Sequence, residues 1–492
     1  MGTRLYTAAQ VRELDAVAIA TLGISAHVLM QRAAAAAWRC LRARWPHARR
    51  IVVLCGSGNN GGDGYLLACI ARDAGLQASV IALAPAAGAD AERACAEWRN
   101  ARGAILDVDE TLPDADIYVD ALLGTGLTRP VDGRARVLIE QLNACKQPVL
   151  ALDAPSGISA DTGIVLGMAV RATTTVTFIA HKRGLFTGAA LEYCGELVLD
   201  MLGLPETLYE ESKFDARLLD MRRMARWLSP RARAAHKGDF GHVLAIGGDA
   251  GMGGAIRLCS EAALRVGAGL VSVATRADNV VAINASRPEL MAHAVKDALM
   301  LHPLLNRAQV IALGPGLGQG EWSRALWHSA IAAGRATVLD ADGLNLLARH
   351  VVHLPPHTVL TPHPGEAARL LDCDTATITN DPFAAAREIA LEYDSVTVLK
   401  GAGTLIAQPN GEVAVCPWGN PGMATGGSGD VLTGIIAGLL AQGLNTWRAA
   451  RLGVALHAQA GDAAAKAGEA GLIASDLFPH LRILRNAWGR DD

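Results

Sequence analysis

Charge is sparse in this chain and nowhere gathers into a single sign. Of its 492 residues 19% are charged, Lys and Arg (45) nearly balance Asp and Glu (48), and the formal net charge is −3. No Lys/Arg run stands out, which argues against nucleic acid or an anionic membrane as the main partner and leaves a small molecule. The nine cysteines are scattered, with no C-x-x-C pair and no His at zinc spacing, so they read as reduced thiols. No uninterrupted apolar stretch reaches the ~18 to 20 residues of a membrane span, because glycine and polar residues break the longest candidate, near residues 431 to 445. The start of the chain offers Thr7-x-x-Gln10, a capping box, and then the amphipathic VRELDAVAIATLG in place of a signal sequence. A cytoplasmic location is expected.

What is present is apolar and rhythmic. Hydrophobic residues make up 51% of the chain, and its length exceeds what one core usually supports, so two to four domains are expected. Short β-branched runs alternate with Ala-rich stretches: IVVLC at 51, ASVIAL at 78, DIYVDALL at 116, PVLALD at 148 and TTTVTFIA at 173. Continuous apolar strands of this kind are buried on both faces, as in a parallel sheet covered by helices. From about residue 205 to 241 the chain is dense in charge and reads as free of strands, which marks a domain connection. The alternation restarts with HVLAIGG, LVSVAT, VIALGPG, ATVLDAD, TVLTPHPG and VTVLKGAG, and TLIAQ-PNG-EVAV reads as a hairpin that makes one sheet edge antiparallel. The halves differ in sequence, so no repeat is expected.

Chemistry concentrates in Asn420-Pro-Gly-Met-Ala-Thr-Gly-Gly-Ser-Gly-Asp430, which runs directly into the apolar VLTGIIAGLLAQGL. Glycines let backbone N–H groups converge on an anion, and the following helix adds its positive end, which together make a phosphate cradle. Asp430 at its edge is placed to take a proton from a substrate hydroxyl during phosphoryl transfer. The plainer alternative is a helix cap on a tight turn. Mg²⁺ is expected, because phosphoryl transfer develops charge that backbone dipoles rarely neutralise alone.

In the first half, Gly56-x-Gly58-x-x-Gly61 matches a dinucleotide fingerprint, yet the second strand ends in ASVIALAPAAG with no acidic residue for a ribose. Asn59, Asn60 and Asp63 crowd this turn, so side chains as well as backbone are expected at a ligand. Asp120 and Asp153 sit where strands end, and Gly124-Thr-Gly126 follows as a second anion-friendly turn. A single strand-end Asp is as often a loop cap as a catalyst. Asn60, Asp120 and Ser156 supply hard oxygen ligands without His or Cys, so an ion they share would be an alkali or alkaline-earth cation.

GSGNNGGDG, VDALLGTGL, LDAPSGI and HKRGLFTG resemble the YjeF N-terminal family of NAD(P)H-hydrate epimerases. The resemblance implies that Asn59, Asn60, Gly61, Gly62 and Asp63, with Gly124, Thr125, Gly126, Leu127, Thr128, Arg129 and Pro130, line a pocket for hydrated NADH or NADPH. It implies Asp153 as catalytic acid/base and potassium on Asn60, Asp120 and Ser156. Lys182 lies in a matching stretch with no assigned role. LMQRAA at 29 to 34 departs from the usual LMERAG, which touches only the packing of the first helices.

GDFGHVLAIGGDAGMGGA, GPGLG at 314 to 318, TPHPGEAARLL and VLKGAGTLIA, with the cradle, resemble the ribokinase-like ADP-dependent NAD(P)H-hydrate dehydratases. By that likeness Ala255, Gly316 and His363 would touch the hydrated nucleotide together with Asp430, the base. Lys400, Gly401, Ala402, Gly403, Thr404 and Gly429 would bind the adenine nucleotide, ADP in and AMP out. Taken alone, His363 on its proline-flanked loop is more often a structural side chain.

The expectation is thus an α/β protein of two domains: a Rossmann-like three-layer α/β/α epimerase at 1–213 and a ribokinase-like α/β/α dehydratase at 222–492. A homo-oligomer is expected. Two rival readings are a ribokinase-like vitamin kinase, of hydroxyethylthiazole or pyridoxal type, and an N-terminal half that only binds.

Overall fold

A computed structural model describes residues 3–107, 111–228 and 230–487; the outer ends of the expected domains, Met1 and Asp492, lie outside these. The chain forms two compact α/β units that divide between Ala216 and Arg217.

The first unit is built on seven parallel strands in the order Ile105–Leu106, Gln77–Ala82, Arg50–Cys55, Ile117–Ala121, Val149–Leu152, Thr174–Phe178 and Glu196–Asp200. The five apolar runs legible in the sequence are the interior ones. The two edge strands escaped notice because Ile105–Leu106 is only two residues long and Glu196–Asp200 is half exposed, so neither shows a buried run. Helices cover both faces: Ala26–Arg44 and Asn59–Asp73 pack one core, while Leu138, Ile139 and Leu142 of Gly133–Ala144 pack the other. Thr7 caps Ala8–Leu22, accepting from Gln10 N while Gln10 Oε1 accepts from Thr7 N, as the capping box predicts. Strand order reverses between Arg50–Cys55 and Ile117–Ala121. Their loops therefore diverge at the carboxyl edge, where open α/β sheets form their crevice.

The strands of the second unit follow the order Met291–Ala294, Leu270–Thr275, His242–Ile246, Val310–Leu313, Ala336–Leu339, Thr358–Leu360, Val396–Leu399, Leu405–Ala407 and Val413–Val415. Pairing is parallel as far as Val396–Leu399 and antiparallel through the hairpin that follows, with Gly411 at φ +88° in its turn. Arg217 and Leu218 then pair in parallel with Ala414 and Val415. This strand, Ala216–Leu218, lies inside the stretch read as strandless, where flanking charges mask a short apolar alternation.

Two helices run parallel through this core. Ser428–Ala441 is buried almost throughout and lies on Gly253–Val266, with Gly434 against Cys259 and Gly438 against Ala263 and Val266. A Cβ on Gly434 would fall 1.9 Å from the Cys259 carbonyl oxygen, so the approach is possible only without a side chain. The contact sets both helix N-termini at the same end of the unit.

Candidate functional site

In the first unit a cavity of about 550 Å³ opens at the strand-order reversal. Asn59, Asn60 and Asp63 line it from the start of Asn59–Asp73, Gly124 to Leu127 from the loop after Ile117–Ala121, and Asp153 from the end of Val149–Leu152. Thr128, Arg129 and Pro130 follow as exposed residues beyond that lining. Gly61 and Gly62 are buried and serve packing: a Cβ on Gly61 would meet the Gly56 carbonyl at 2.0 Å, and one on Gly62 the Met30 thioether at 2.6 Å. Glycine here brings the helix down on the strand, and the polar side chains beside it face the cavity.

Asp153 is held in the left-handed region, at φ +64°, a conformation costly for a non-glycine residue and concentrated at functional sites. Its Oδ1 accepts from Lys182 Nζ and, at 3.2 Å, from Phe178 N. Lys182 is fully buried and also donates to Thr177 Oγ1 (2.9 Å) and the Phe178 carbonyl (2.8 Å), so its ammonium is fixed beneath the carboxylate. Two further carboxyls share this field. Asp15, from Ala8–Leu22, is pushed up to about 6, chiefly by burial, with Lys182 opposing and Asp153 adding to the rise. Asp63 is raised well above the usual carboxylate range by burial and by Asp153 and Asp15. Sequence reasoning missed Asp15, which lies inside an ordinary amphipathic pattern.

Asp120 and Ser156 meet in the interior, both fully buried. Ser156 Oγ donates to Asp120 Oδ1 (2.6 Å), Ser156 N to Oδ2 (2.7 Å), and Leu123 N donates to Ser156 Oγ (2.8 Å). Burial still pushes Asp120 up to about 6 against these hydrogen bonds. The Asn60 amide has a buried oxygen and nitrogen with no partner among the described residues, and its Cβ lies beside Gly124, one residue on from the Leu123 that bonds Ser156. A buried carboxylate with no basic partner among the described residues and an unpaired amide oxygen have the hard-oxygen chemistry of an alkali or alkaline-earth cation site.

In the second unit Asp430 is the third residue of Ser428–Ala441, and the cap position falls to Gly427 at φ +91°. A side chain at Gly427 would strike Leu258 at 2.5 Å. Asp430 is therefore not the cap. Burial, Asp340 and other nearby carboxylates push it up to about 7 against the pull of Lys400. Lys400 Nζ donates to Asp340 Oδ1 (2.8 Å) and lies 3.7 Å from Glu366 Oε2, and Thr433 Oγ1 donates to Asp340 Oδ2 (2.7 Å). Burial would lower the Lys400 ammonium, but Asp340 and Glu366 outweigh it and hold the group above its ordinary value. Asp340 is correspondingly lowered despite burial. A Cβ on Gly429 would sit 3.3 Å from Lys400 Nζ, so the glycine keeps the backbone of this turn close to the ammonium.

The remaining residues divide. Ala255 and Gly316 are neighbours, 3.1 Å apart at the Cβ positions, with Gly316 at φ +58°. His363 caps Pro364–Leu370, its Nδ1 accepting from Gly365 N (3.0 Å) while Glu366 Oε2 accepts from His363 N (2.8 Å); the ring stays half exposed. Lys400 N bonds the Pro362 carbonyl, which ties KGAGT to the His363 loop, and Thr404 Oγ1 closes the Gly401–Thr404 turn on the Gly401 carbonyl. Asp340, Glu366 and Thr433 were not singled out from sequence; Glu366 was visible inside TPHPGE, whereas a lone Asp340 after a strand resembles any loop cap.

Two family profiles match in tandem: "YjeF-related protein N-terminus" over residues 26–184 and "NAD(P)H-hydrate dehydratase" over residues 243–482. The chain is 50% identical over 491 residues to a Coxiella burnetii protein named bifunctional NAD(P)H-hydrate repair enzyme Nnr, covering 98% of this chain and all of that one. It is 42% identical to the Escherichia coli protein of the same name, over 98% and 94% of the two chains. Among solved structures, a Bacillus subtilis ADP/ATP-dependent NAD(P)H-hydrate dehydratase crystallised with ATP and Mg²⁺ superposes with TM-score 0.50 and 27% identity, over 55% of this chain and 98% of its own. An Enterococcus faecalis ribokinase-like superfamily protein superposes with TM-score 0.51 and 31% identity, over 54% and 94%.

Proposed function

The chain belongs to the family of bifunctional NAD(P)H-hydrate repair enzymes, and from that premise we propose how its two carboxylate centres divide the work. The first unit interconverts the R and S hydrates of NADH and NADPH. The second removes water from the S hydrate at the expense of ADP, giving AMP and phosphate. Relatives alike over nearly the full length favour this reading over a vitamin kinase, and the Asp153 centre favours it over a purely binding N-terminal half.

In the first unit, Asp153 is ion-paired with Lys182 at the cavity wall and is placed to accept the proton of the ring hydroxyl. Asp15 and Asp63, raised by burial, are the neighbouring groups able to protonate the ring nitrogen as its bond to the hydroxyl-bearing carbon breaks and the oxygen becomes a carbonyl. They take that proton back as the nitrogen closes on the other face of the carbonyl, while Asp153 returns its proton to the oxygen. Asn60, Asp120 and Ser156 would hold a potassium ion, which would neutralise the buried Asp120 and brace the two loops that form the cavity.

In the second unit, Asp430 takes the proton of the hydrate's hydroxyl as that oxygen bonds to the β-phosphorus of ADP and the bond to the AMP oxygen breaks. Lys400 and the amides around Gly429 face the charge that develops. The phosphorylated intermediate then expels phosphate with the carbon–oxygen electron pair, and loss of the neighbouring ring proton restores the double bond. Magnesium would arrive on the nucleotide's phosphates, as among the described residues no group of three or more His, Cys, Asp and Glu side chains converges as a metal site.

The observation that carries this reading is that each of the two profile-matched segments has its own buried lysine–carboxylate centre, Lys182 with Asp153 and Lys400 with Asp340 beside Asp430. Incubating the protein with mixed R and S hydrates, with and without ADP, and following the reduced-nicotinamide absorbance tests both activities. Full recovery only with ADP supports the assignment; recovery without ADP, or none with it, refutes it.

A further inference from the structure

The second unit contains a cavity of about 570 Å³ that neither activity uses. It lies at the far end of the two parallel core helices. Gly253–Val266 has 14 residues, so at 1.5 Å per residue it is about 21 Å long. Its first turn carries Ala255, and its C-cap Gly267 and the last turn line this cavity. The neighbouring helix ends alongside, where Gln442 Nε2 donates to the Val266 carbonyl (3.2 Å).

Five arginines, Arg231, Arg265, Arg287, Arg482 and Arg485, face two glutamates, Glu261 and Glu289, a surplus of three positive charges in a chain whose net charge is −3. The carboxylate of Glu261 is already saturated: it is 1% exposed and pairs with Arg257 (3.1 Å), Arg265 (3.2 Å) and Arg287. Glu289 is exposed and makes no ion pair among the described residues. Arg231 donates to the Gly267 carbonyl and lies 3.7 Å over the Phe240 ring, contacts that hold it without neutralising it. Arg485 is half buried, reaches Gln442 Oε1 only at 3.4 Å, and leaves its Nε buried and unpaired among the described residues; the Nε of Arg287 is in the same state. Burial first, and then the like charge of Arg231, lower the Arg485 guanidinium below its ordinary value, as expected of like charges packed without a counter-ion among the described residues. Unpaired guanidinium N–H groups around one cavity are costly unless an acceptor arrives, and planar guanidinium forks match phosphate oxygens best. Leu264, Val266 and Ala268 add an apolar wall.

We infer that this cavity binds a small organic phosphate carrying two or more negative charges, at a site separate from both active centres. Its oxyanions would take Arg231, Arg482 and Arg485, and its organic part would lie on the Leu264–Ala268 wall.

The test uses the full-length protein at low ionic strength, free of sulfate and phosphate, with labelled inorganic pyrophosphate in equilibrium dialysis. Wild type should bind one more pyrophosphate per chain than the R482Q/R485Q variant, or bind it at least tenfold more tightly at that site, while ADP-dependent dehydration is the same in both. Glu289→Gln, which removes an exposed like-charged group, should tighten the same binding. ADP competing better than pyrophosphate for the site lost in the variant would establish a role for the organic part; equal competition would assign the site to the phosphates alone, which also supports it. Identical stoichiometry and affinity in wild type and R482Q/R485Q would overturn the inference. So would loss of binding only alongside a change in oligomeric state, which would make the cavity a surface between copies of the chain.

Discussion

At the scale of single residues, the account rests on carboxylates moved by their surroundings. Asp430, raised to about 7, acts as a base only after losing its proton. The sign follows directly: kcat/KM for dehydration should fall about tenfold per pH unit below about 7 and level off above it. Asp430→Asn should lower the rate by ~10² to 10⁴ and leave epimerisation intact. Stopped assays across pH 5 to 9 check both, and a wild-type rate in the variant would remove Asp430 from its role. In the first unit Asp15→Asn should slow epimerisation with the fold retained, measured by exchange between separated R and S hydrates; an unchanged rate would leave Asp63 as the only proton donor beside Asp153. For the ion, thallium-soaked crystals should show anomalous density among Asn60, Asp120 and Ser156, and Asp120→Ala should abolish it. Legibility at this scale tracks local context. Asp430 stood out because glycines and a helix start surround it in sequence, whereas Asp15 acts through Lys182 and Asp340 through Lys400 and Thr433, partners brought close only by the fold.

At the scale of elements, small residues set the geometry. The interior strands of both sheets were legible because burial on both faces leaves continuous apolar runs, and the hairpin was legible from its Pro409-Asn410-Gly411 turn. Short or half-exposed strands such as Glu196–Asp200 and Ala216–Leu218 lack that pattern and were not. The glycines of the first loop match a dinucleotide fingerprint in sequence, but their neighbours show that Gly61 and Gly64 let the helix come down on the strand end, and that Gly56 lets its loop pass the Leu122 backbone. Gly434 does the same between helices. Gly434→Ala should therefore cost ~1 to 3 kcal/mol by overpacking, because the atom met is backbone. A calorimetric scan should show the melting of the second unit lowered by several degrees together with weaker dehydration; an unchanged midpoint would mean the helices are farther apart than described.

At the scale of the whole molecule, two units with separate cores carry two reactions on one substrate pool. We propose that they are separable between Ala216 and Arg217: fragments cut there should each fold, the first epimerising without ADP and the second dehydrating only the S hydrate. A cut at 222, as the sequence suggested, would strip Arg217 and Leu218 from their pairing with Val413–Val415 and should give a less stable second fragment. Charge in the joining stretch hid the strand Ala216–Leu218.

The central claim, two independent carboxylate centres in one chain, is tested most directly by complementation between full-length variants. Asp153→Ala supplied with mixed hydrates and ADP should consume the S form and then stall, apart from slow spontaneous epimerisation. Asp430→Asn should equilibrate R and S but restore no reduced-nicotinamide absorbance. Mixed together, the two variants should convert both hydrates completely at a rate near that of wild type. A mixture that stalls where Asp153→Ala stalls, with both proteins folded by circular dichroism, would contradict the account.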